Sequence, residues 1–231
     1  MNDPLIALMA ESPLFHGLSD NELGEVRSAG AMRRFASGDL LIRQGDPADA
    51  YHFLFCGHGK LTQVTPDGHQ VLLRFLRPGD GIGVTSVLPG FDYVWSAQAI
   101  GECRALVLHG ETLAQLLERH PSLARNALRI IIKRNRELEI RYQGLLTESV
   151  EQRVAQALVR LSDEVGRATT DGVLIDVPLS REDLAEYAGT TLYTVSRLLR
   201  QWELDGHVRT GRERVVVCSR DSLTALYAPT A

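Results

Sequence analysis

The spacing of apolar and polar residues changes once along the chain, near residue 110. Between about residues 32 and 108, short apolar runs alternate with turn-forming Gly, Pro and Asp residues. Turns that recur every ~8–12 residues are typical of an antiparallel sandwich or barrel. From Glu111 onward, apolar residues recur at steps of three and four, which is the period of an amphipathic helix. The pattern therefore predicts an α+β protein in which a β-barrel precedes a helical part.

Local signals place the elements of the barrel. Ser19, with Glu22 at the capping-box position, predicts a short helix before it. Asp67 and Gly68 supply the positive-φ residues of a hairpin turn. The predicted strands are Tyr51–Cys56, Lys60–Thr65, Gln70–Leu76, Trp95–Ile100 and Ala105–Leu108.

A long helix is predicted after a break at His120-Pro121, with Ser122 as its N-cap. It extends to about Gly144, so it is ~36 Å long. Asn135 interrupts an otherwise apolar, heptad-like stripe that consists of Ala124, Ala127, Ile131, Leu138, Tyr142 and Leu145. A helix of this length with its own stripe needs a partner. We expect a parallel homodimer seam; packing onto the chain's own barrel is the alternative.

The C-terminal part begins with an amphipathic helix, Glu148–Val165, and a short strand, Val173–Val177. Two further helices follow, joined by a tight turn. Ser180 caps the first of them, with Asp183 at the capping-box position, and Gly189 ends it. Thr191 caps the second helix, which is predicted to extend to about Leu204.

The second of these helices has two distinct faces. Apolar residues form one face, and Tyr193, Ser196, Arg197 and Arg200 follow helical spacing on the other. Two helices joined by a Gly turn are typical of a helix-turn-helix, which places its second helix in the major groove of DNA. An arginine there can donate two hydrogen bonds to guanine. The candidate DNA-binding residues are Thr190, Thr191, Tyr193, Thr194, Ser196, Arg197, Arg200, Arg212 and Arg214.

Charge supports this interpretation only when it is read locally. The chain as a whole carries a formal net charge of −4. Residues 189–220 contain six Arg against three acidic residues, so this segment is positively charged. Within it, His207–Val217 is predicted to form a hairpin, the wing of a winged helix-turn-helix, with Arg212 and Arg214 near its tip. DNA phosphates respond to this local charge.

Composition excludes several other classes. The chain has 231 residues, 44% of them hydrophobic, which suits two ordinary domains. No apolar run approaches the ~20 residues of a membrane span, and the N-terminus lacks the basic region of a secretory signal. Three scattered cysteines form neither a disulfide framework nor a metal motif, so we expect a reducing cytoplasm. No arrangement of catalytic or metal-ligating residues is recognisable, and we expect no enzymatic activity.

Several glycine-containing motifs resemble the Crp/Fnr superfamily of bacterial transcription regulators. They are Phe35–Asp46, Gly57 and Gly59 with Asp67-Gly68, Gly79–Gly83, and the helix-turn-helix Leu179–Trp202. The resemblance implies a double-stranded β-helix sensor, a cyclic-nucleotide-binding-like jelly roll, over residues 1–110. It further implies a dimerisation helix over 111–146 and a winged helix-turn-helix over 147–231. The implied partners are a palindromic DNA operator, a second copy of the chain, and RNA polymerase if the protein is an activator.

The sequence departs from the cyclic-nucleotide version of this family at its ligand contacts. Val84 stands where the family has a Glu for the ribose, and Tyr93-Val94 replaces an Arg-Ser pair for the cyclic phosphate. Leu138-Glu139 replaces the Thr-Ser pair that touches adenine. These changes argue against cyclic AMP. The candidate effector-pocket residues are Arg74, Gly83, Val84, Thr85, Ser86, Tyr93, Trp95, Arg134, Asn135 and Leu138.

The effector itself stays open at this point. The cysteine count excludes the iron–sulfur branch of the family. A haem-dependent, nitric-oxide-sensing regulator is an alternative, because one axial histidine needs no motif. A small organic acid held by Arg74 or Arg134 is another, and a ligand-binding module with weak DNA binding is a third. Tyr193 replaces the glutamate common in the family's recognition helix, so the usual half-site is not expected.

Overall fold

The computed structural model describes residues 3–87 and 90–226. It divides into two compact units. The first lies within the residues up to Val64 and Leu76–Leu138, and the second comprises Thr65–Phe75 and the residues from Glu139 onward. No helix in the described part of the chain is long and apolar enough to cross a membrane.

The first unit begins with helices α1 (Pro4–Glu11) and α2 (Asp20–Ala29). The strands that follow are β1 (Ala31–Phe35), β2 (Leu40–Ile42), β3 (Ala50–Val64), β4 (Gln70–Leu76), β5 (Gly81–Ile82) and β6 (Ser96–His109). They form an antiparallel sheet with the order β1-β6-β3-β4, in which β2 also pairs with β6 and β5 with β3. A single 3₁₀ turn, Val84–Val87, follows β5.

Two of the strand boundaries predicted from sequence are wrong. The predicted strands Tyr51–Cys56 and Lys60–Thr65 merge into one strand, β3, which ends at Val64, and Trp95–Ile100 and Ala105–Leu108 merge into another, β6, which begins at Ser96. The reason is that Gly57 does not end its strand but forms a bulge, at which the register to β6 shifts. Its φ is +84°, and a Cβ there would lie 2.4 Å from the carbonyl oxygen of Glu102.

The core of the first unit lies between the helices and the sheet. Phe15 packs edge-on against Tyr51 and Phe53, with ring centroids 6.3 and 5.3 Å away. Helix α3 (Gly110–Arg119) and the first turns of α4 (Pro121–Thr147) contribute to the same cluster. Ala127, assigned to the dimer seam above, is buried in this cluster. Ser122 is not the N-cap of α4, because Pro121 takes the first helical position, where its missing N–H costs nothing.

The second unit contains α5 (Val150–Val165), α6 (Arg181–Ala188), α7 (Leu192–Leu204) and α8 (Arg220–Ala225). Its sheet has the order β7-β8-β10-β9, formed by Gly166–Thr169, Gly172–Ile175, Arg214–Val217 and Val208–Gly211. The predicted capping boxes at Ser19 and Ser180 and the bounds of α7 are confirmed. Helix α5 begins two residues later than predicted, because Ser149 is its N-cap.

Candidate DNA-binding surface and effector domain

The turn between α6 and α7 is determined by three local signals. The hydroxyl of Ser180 accepts a hydrogen bond from the Asp183 N–H, which starts α6. Gly189 adopts φ 64° and ψ 51°, the left-handed conformation that ends it. The Thr191 hydroxyl then accepts a hydrogen bond from the Thr194 N–H at 3.2 Å, which starts α7. The second helix is therefore redirected within three residues.

Burial of one face fixes the rotation of α7 about its own axis. Val195, Leu198, Leu199 and Trp202 are all buried, and Trp202 is only 2% exposed. Tyr193, Arg197 and Arg200 are exposed on the opposite face, while Thr194 and Ser196 are partly buried. Thr190 is also partly buried, and Thr191 is exposed at the start of the helix. The predicted recognition face is thus a single outward surface of α7.

A guanidinium group of α5 stabilises the turn between α6 and α7 by hydrogen bonds. Arg153 of α5 donates hydrogen bonds to the carbonyl oxygens of Ala188 (3.3 Å) and Gly189 (3.2 Å). Its third bond, at 3.1 Å, goes to the carbonyl of Glu148. The carbonyls of Ala188 and Gly189 lie at the end of α6 and have no partner within that helix. Arg153 therefore satisfies both carbonyls and links the turn to α5.

Tyr187 anchors α6 on its buried side. Arg141 of α4 donates a hydrogen bond to the Tyr187 hydroxyl at 2.6 Å, and its guanidinium stacks 4.5 Å from the ring centroid. Arg160 lies 5.9 Å from the same ring. Burial raises the pKa of Tyr187, so its hydroxyl stays protonated in the fold. Arg141 also donates to the carbonyl of Leu73, a residue of the β3–β4 hairpin that belongs to this unit.

The wing is attached to the recognition helix by a carboxylate. Oε1 of Glu203, in α7, accepts hydrogen bonds from the Thr210 backbone N–H (2.8 Å) and hydroxyl (3.0 Å). In the turn that joins β9 and β10, Glu213 takes a φ of +51°, the one positive φ at a non-glycine position among the described residues. Arg209 pairs with Asp171 at 2.8 Å. The wing therefore has a defined position relative to α7.

The arginines assigned to DNA binding are free to meet an external anion. Arg197 and Arg200 of α7 and Arg212 and Arg214 of the wing are exposed. None of the four forms an ion pair with another residue in the parts of the chain that the structure describes. A surface with four unneutralised guanidinium groups attracts a polyanion, and the forked geometry of arginine suits phosphate and guanine.

In the β-domain, Tyr93 occupies the position where the resemblance implies a cyclic-phosphate contact. Its hydroxyl donates to the carbonyl of Ala50 at 2.6 Å and accepts from the N–H of the same residue at 3.0 Å. Burial raises the pKa of this phenol. A Cβ built on Gly83 would lie 3.3 Å from the Tyr93 ring, so the structure brings these two predicted pocket residues together.

The other predicted pocket residues are more scattered. Ser86 Oγ and Trp95 Nε1 are buried without a hydrogen-bond partner in the described part of the chain, while Val84 is half-buried and Thr85 exposed. Arg134 forms an ion pair with Glu137 of its own helix at 2.7 Å. Asn135 and Leu138 are exposed on α4, and Arg74 belongs to the second unit.

Two histidines lie in buried environments that the sequence pattern does not indicate. His52 lies on β3 with its Nδ1 unpartnered among the described residues, and burial lowers its pKa to about 4. His120 lies between two carboxylates of α2, with 3.2 Å from Nδ1 to Glu22 and 3.2 Å from Nε2 to Glu25. A single histidine in a strand or at a helix end carries no motif, so only the tertiary structure could identify either environment.

Two families of known domains match the chain. A cyclic nucleotide-binding domain matches residues 32–120, and a Crp-like helix-turn-helix domain matches residues 152–226. The cyclic AMP receptor protein of Thermus thermophilus is 31% identical over 209 residues, which cover 90% of this chain and 94% of the relative. A global nitrogen regulator from Nostoc is 32% identical over 167 residues, or 71% of this chain and 75% of the relative.

Solved structures show the same fold. FixK2 from Bradyrhizobium japonicum superposes with a TM-score of 0.75 at 23% identity, covering 87% of this chain and 99% of that one. The catabolite activator protein of Thermus thermophilus gives a TM-score of 0.55 at 31% identity, over 93% and 98% of the two chains. An effector-binding β-domain followed by a DNA-binding helix-turn-helix defines a non-enzymatic family of regulators. The chain therefore belongs to the Crp/Fnr superfamily of transcription regulators.

Proposed function

We propose that this protein is a homodimeric, sequence-specific regulator whose β-domain, residues 1–110, binds a small effector other than cyclic AMP. Residues 111–146, which include α3 and α4, supply the dimerisation helix, and residues 147–231 form the winged helix-turn-helix. The observation that carries the proposal is the outward face of α7, where Arg197 and Arg200 are exposed without an ion-pair partner in the described chain. If the protein activates transcription, RNA polymerase is a further partner.

Helix α4 supports the homodimer. Ile131, Leu138, Tyr142 and Leu145 are all exposed and follow one another at steps of seven, four and three. An apolar stripe of this kind on a helix of 27 residues is typical of a coiled-coil seam. Pairing in parallel would place two recognition helices on successive half-sites, about 34 Å apart on B-DNA. A two-fold symmetric protein then binds a palindromic operator.

The surroundings of Tyr93 support an effector other than cyclic AMP. The Tyr93 hydroxyl already uses Ala50 as both acceptor and donor, so it is not available to a phosphate. No Lys, Arg or His occurs between Gly83 and Ala99 in the sequence, and Val84 offers no acceptor for a ribose hydroxyl. A cyclic phosphate placed there would lose hydration without gaining a cation. An organic acid at Arg134 would have to displace Glu137.

A haem-dependent regulator is the second candidate, and His52 is the observation that favours it. The side chain is 6% exposed, its Nδ1 has no partner in the described chain, and the lowered pKa keeps the imidazole neutral. A neutral imidazole is the form that ligates haem iron. Protein purified from its own source would then show a Soret band that is lost in His52→Gln and kept in His16→Gln.

DNA footprinting tests the leading proposal. We expect a protected site with two-fold symmetry and half-sites about one helical turn apart, with affinity that falls steeply as salt rises. Arg197→Ala should abolish discrimination between sequences, whereas Arg27→Ala, in the first unit, should not. Unchanged discrimination in Arg197→Ala would remove α7 as the recognition helix. Native mass measurement of the purified protein would identify a bound effector.

A further inference from the structure

The first turn of the recognition helix exposes two large apolar side chains to solvent. Tyr193 is 79% exposed, the highest value of any large apolar side chain in the described residues, and Leu192 is 52% exposed. Neither packs into the domain, because Val195, Leu198, Leu199 and Trp202 form the buried face of α7. Exposed apolar groups of this size at the end of a helix need an explanation other than folding.

Their position on the helix points to DNA. At 100° per residue, Tyr193 lies between Arg197 and Arg200 on the face opposite Trp202, and Leu192 is the first helical residue. The N-terminal residues of a recognition helix are those that reach the edges of the bases. The unpaired guanidinium groups of Arg197 and Arg200 draw this face toward a polyanion, so the duplex is the occupant whose charge complements it.

Chemistry narrows the contact to one group of one base. Leucine has no hydrogen-bond donor or acceptor, and the tyrosine ring presents apolar edges. Among the base edges in the major groove, thymine alone carries an apolar group, its 5-methyl. Against the polar edge of cytosine, adenine or guanine, Leu192 would displace water and return no hydrogen bond.

We propose that Leu192 and the ring of Tyr193 read the 5-methyl group of a thymine, next to the guanine that Arg197 reads in each half-site. This inference rests on the proposed function, since it needs α7 to enter the major groove. It assigns the specificity at one base pair to two apolar contacts. Leu192 cannot form a hydrogen bond to the base, and the ring of Tyr193 contacts the methyl group without needing one.

The test compares thymine with uracil, which differ only by this methyl group. Binding sites are first selected from a random duplex library with the wild-type protein. Each thymine of the selected half-site is then replaced by deoxyuridine, and affinity is measured by fluorescence anisotropy. We expect one position per half-site at which the replacement weakens binding about fourfold, the value of one buried methyl group. Deoxyuridine at the other thymine positions of the site should leave the binding affinity nearly unchanged.

Protein variants assign the methyl contact. In Leu192→Ala/Tyr193→Ala the thymine-over-uracil ratio should fall to about one, whereas Tyr193→Phe should keep it because the ring remains. Leu204→Ala is the matched control, since Leu204 is the same residue type and is even more exposed, at 77%, but lies at the other end of α7. Tyr193→Glu should shift the preference at this position from thymine to cytosine, whose N4 amino group a carboxylate accepts.

The outcomes separate the two proposals. If the wild-type protein selects no two-fold symmetric site, the proposed function fails. If it selects such a site but uracil is tolerated at every position, or the ratio persists in the double variant, the methyl contact is wrong while the proposed function stands. Thermal unfolding of each variant is the control that checks whether the surface substitutions leave the fold intact.

Discussion

At the scale of single residues, His52 shows how position changes the chemistry of a side chain. It lies opposite Val107 of β6 and Ile82 of β5 and is almost completely buried. Burial is the largest reason why its pKa falls from 6.5 to about 4; the nearby charge of Arg33 lowers it further, and Asp49 opposes both. The imidazole is therefore neutral over the whole physiological range.

This lowered pKa predicts the direction in which stability changes with pH. Between pH 6.5 and about 4, the unfolded chain binds a proton at His52 that the folded chain does not bind. The free energy of unfolding should therefore fall as pH falls through this window, by about 3 kcal/mol from this residue. Urea denaturation of the wild type and of His52→Gln at pH 7 and pH 4.5 measures this change in the free energy of unfolding.

The comparison between variants isolates the histidine. His52→Gln has no titratable group there, so its stability should fall less over the same pH range. His16→Gln, which removes an exposed histidine, should keep the wild-type pH dependence. Equal pH dependence in the wild type and His52→Gln would contradict the assignment.

At the scale of elements, the wing contains a strained turn. Glu213 has a φ of +51° between strands β9 and β10, a conformation that costs most residues about 1–2 kcal/mol. Glu213→Gly should relieve this cost and raise stability slightly, since glycine loses part of the gain as chain entropy. Glu213→Val should lower stability by about 1 kcal/mol or more. Thermal unfolding of both variants measures these changes in stability. If both variants were stabilised, or both destabilised, backbone strain at Glu213 would be excluded.

The turn between α6 and α7 depends on one arginine. Arg153→Ala leaves the carbonyls of Ala188 and Gly189 without the cation that they bind, so we expect a loss of roughly 2 kcal/mol. Arg153→Lys should recover part of it, because an ammonium cannot reproduce the forked geometry. Denaturation followed by the fluorescence of Trp202, in a Trp95→Phe background, reports on this unit.

A matched control distinguishes the hydrogen bonds from charge. Arg181→Ala removes a positive charge from the exposed first turn of α6 and should change stability by less than about 0.5 kcal/mol. If Arg153→Ala were no more destabilising than Arg181→Ala, Arg153 would not hold the turn.

At the scale of the whole molecule, the exposed stripe of α4 predicts the oligomeric state. Leu138→Glu would place two carboxylates against each other in a parallel dimer, so we expect a monomer in sedimentation. Operator affinity should fall by about 10² or more, because each recognition helix then binds alone. Ile140→Glu is the control: Ile140 is equally exposed but lies about 160° away from Leu138 around the helix. A dimeric Leu138→Glu protein would place the interface elsewhere.

Much of the helical part could be read from the sequence because its signals are local. Capping boxes at Ser19 and Ser180, the left-handed Gly189 and the N-cap Thr191 act within three or four residues, and the structure contains all of them. The strands were harder to predict. Glycine is common in turns, so Gly57 suggests the end of a strand. In the structure, however, pairing with β6 continues past Gly57, which forms a bulge within a strand of 15 residues.

The sequence by itself determined the order of elements, the two faces of α7 and the local excess of arginine, since periodicity and charge are properties of neighbouring residues. Only the tertiary structure decided that Tyr93 is bonded to Ala50, that Arg153 holds the turn, and that His52 is buried with a lowered pKa. Tyr93 is 43 residues from its partner and Arg153 is 35 residues from Ala188. Contacts at such separation follow from packing, because burial and hydrogen bonding depend on which distant segments the fold brings together.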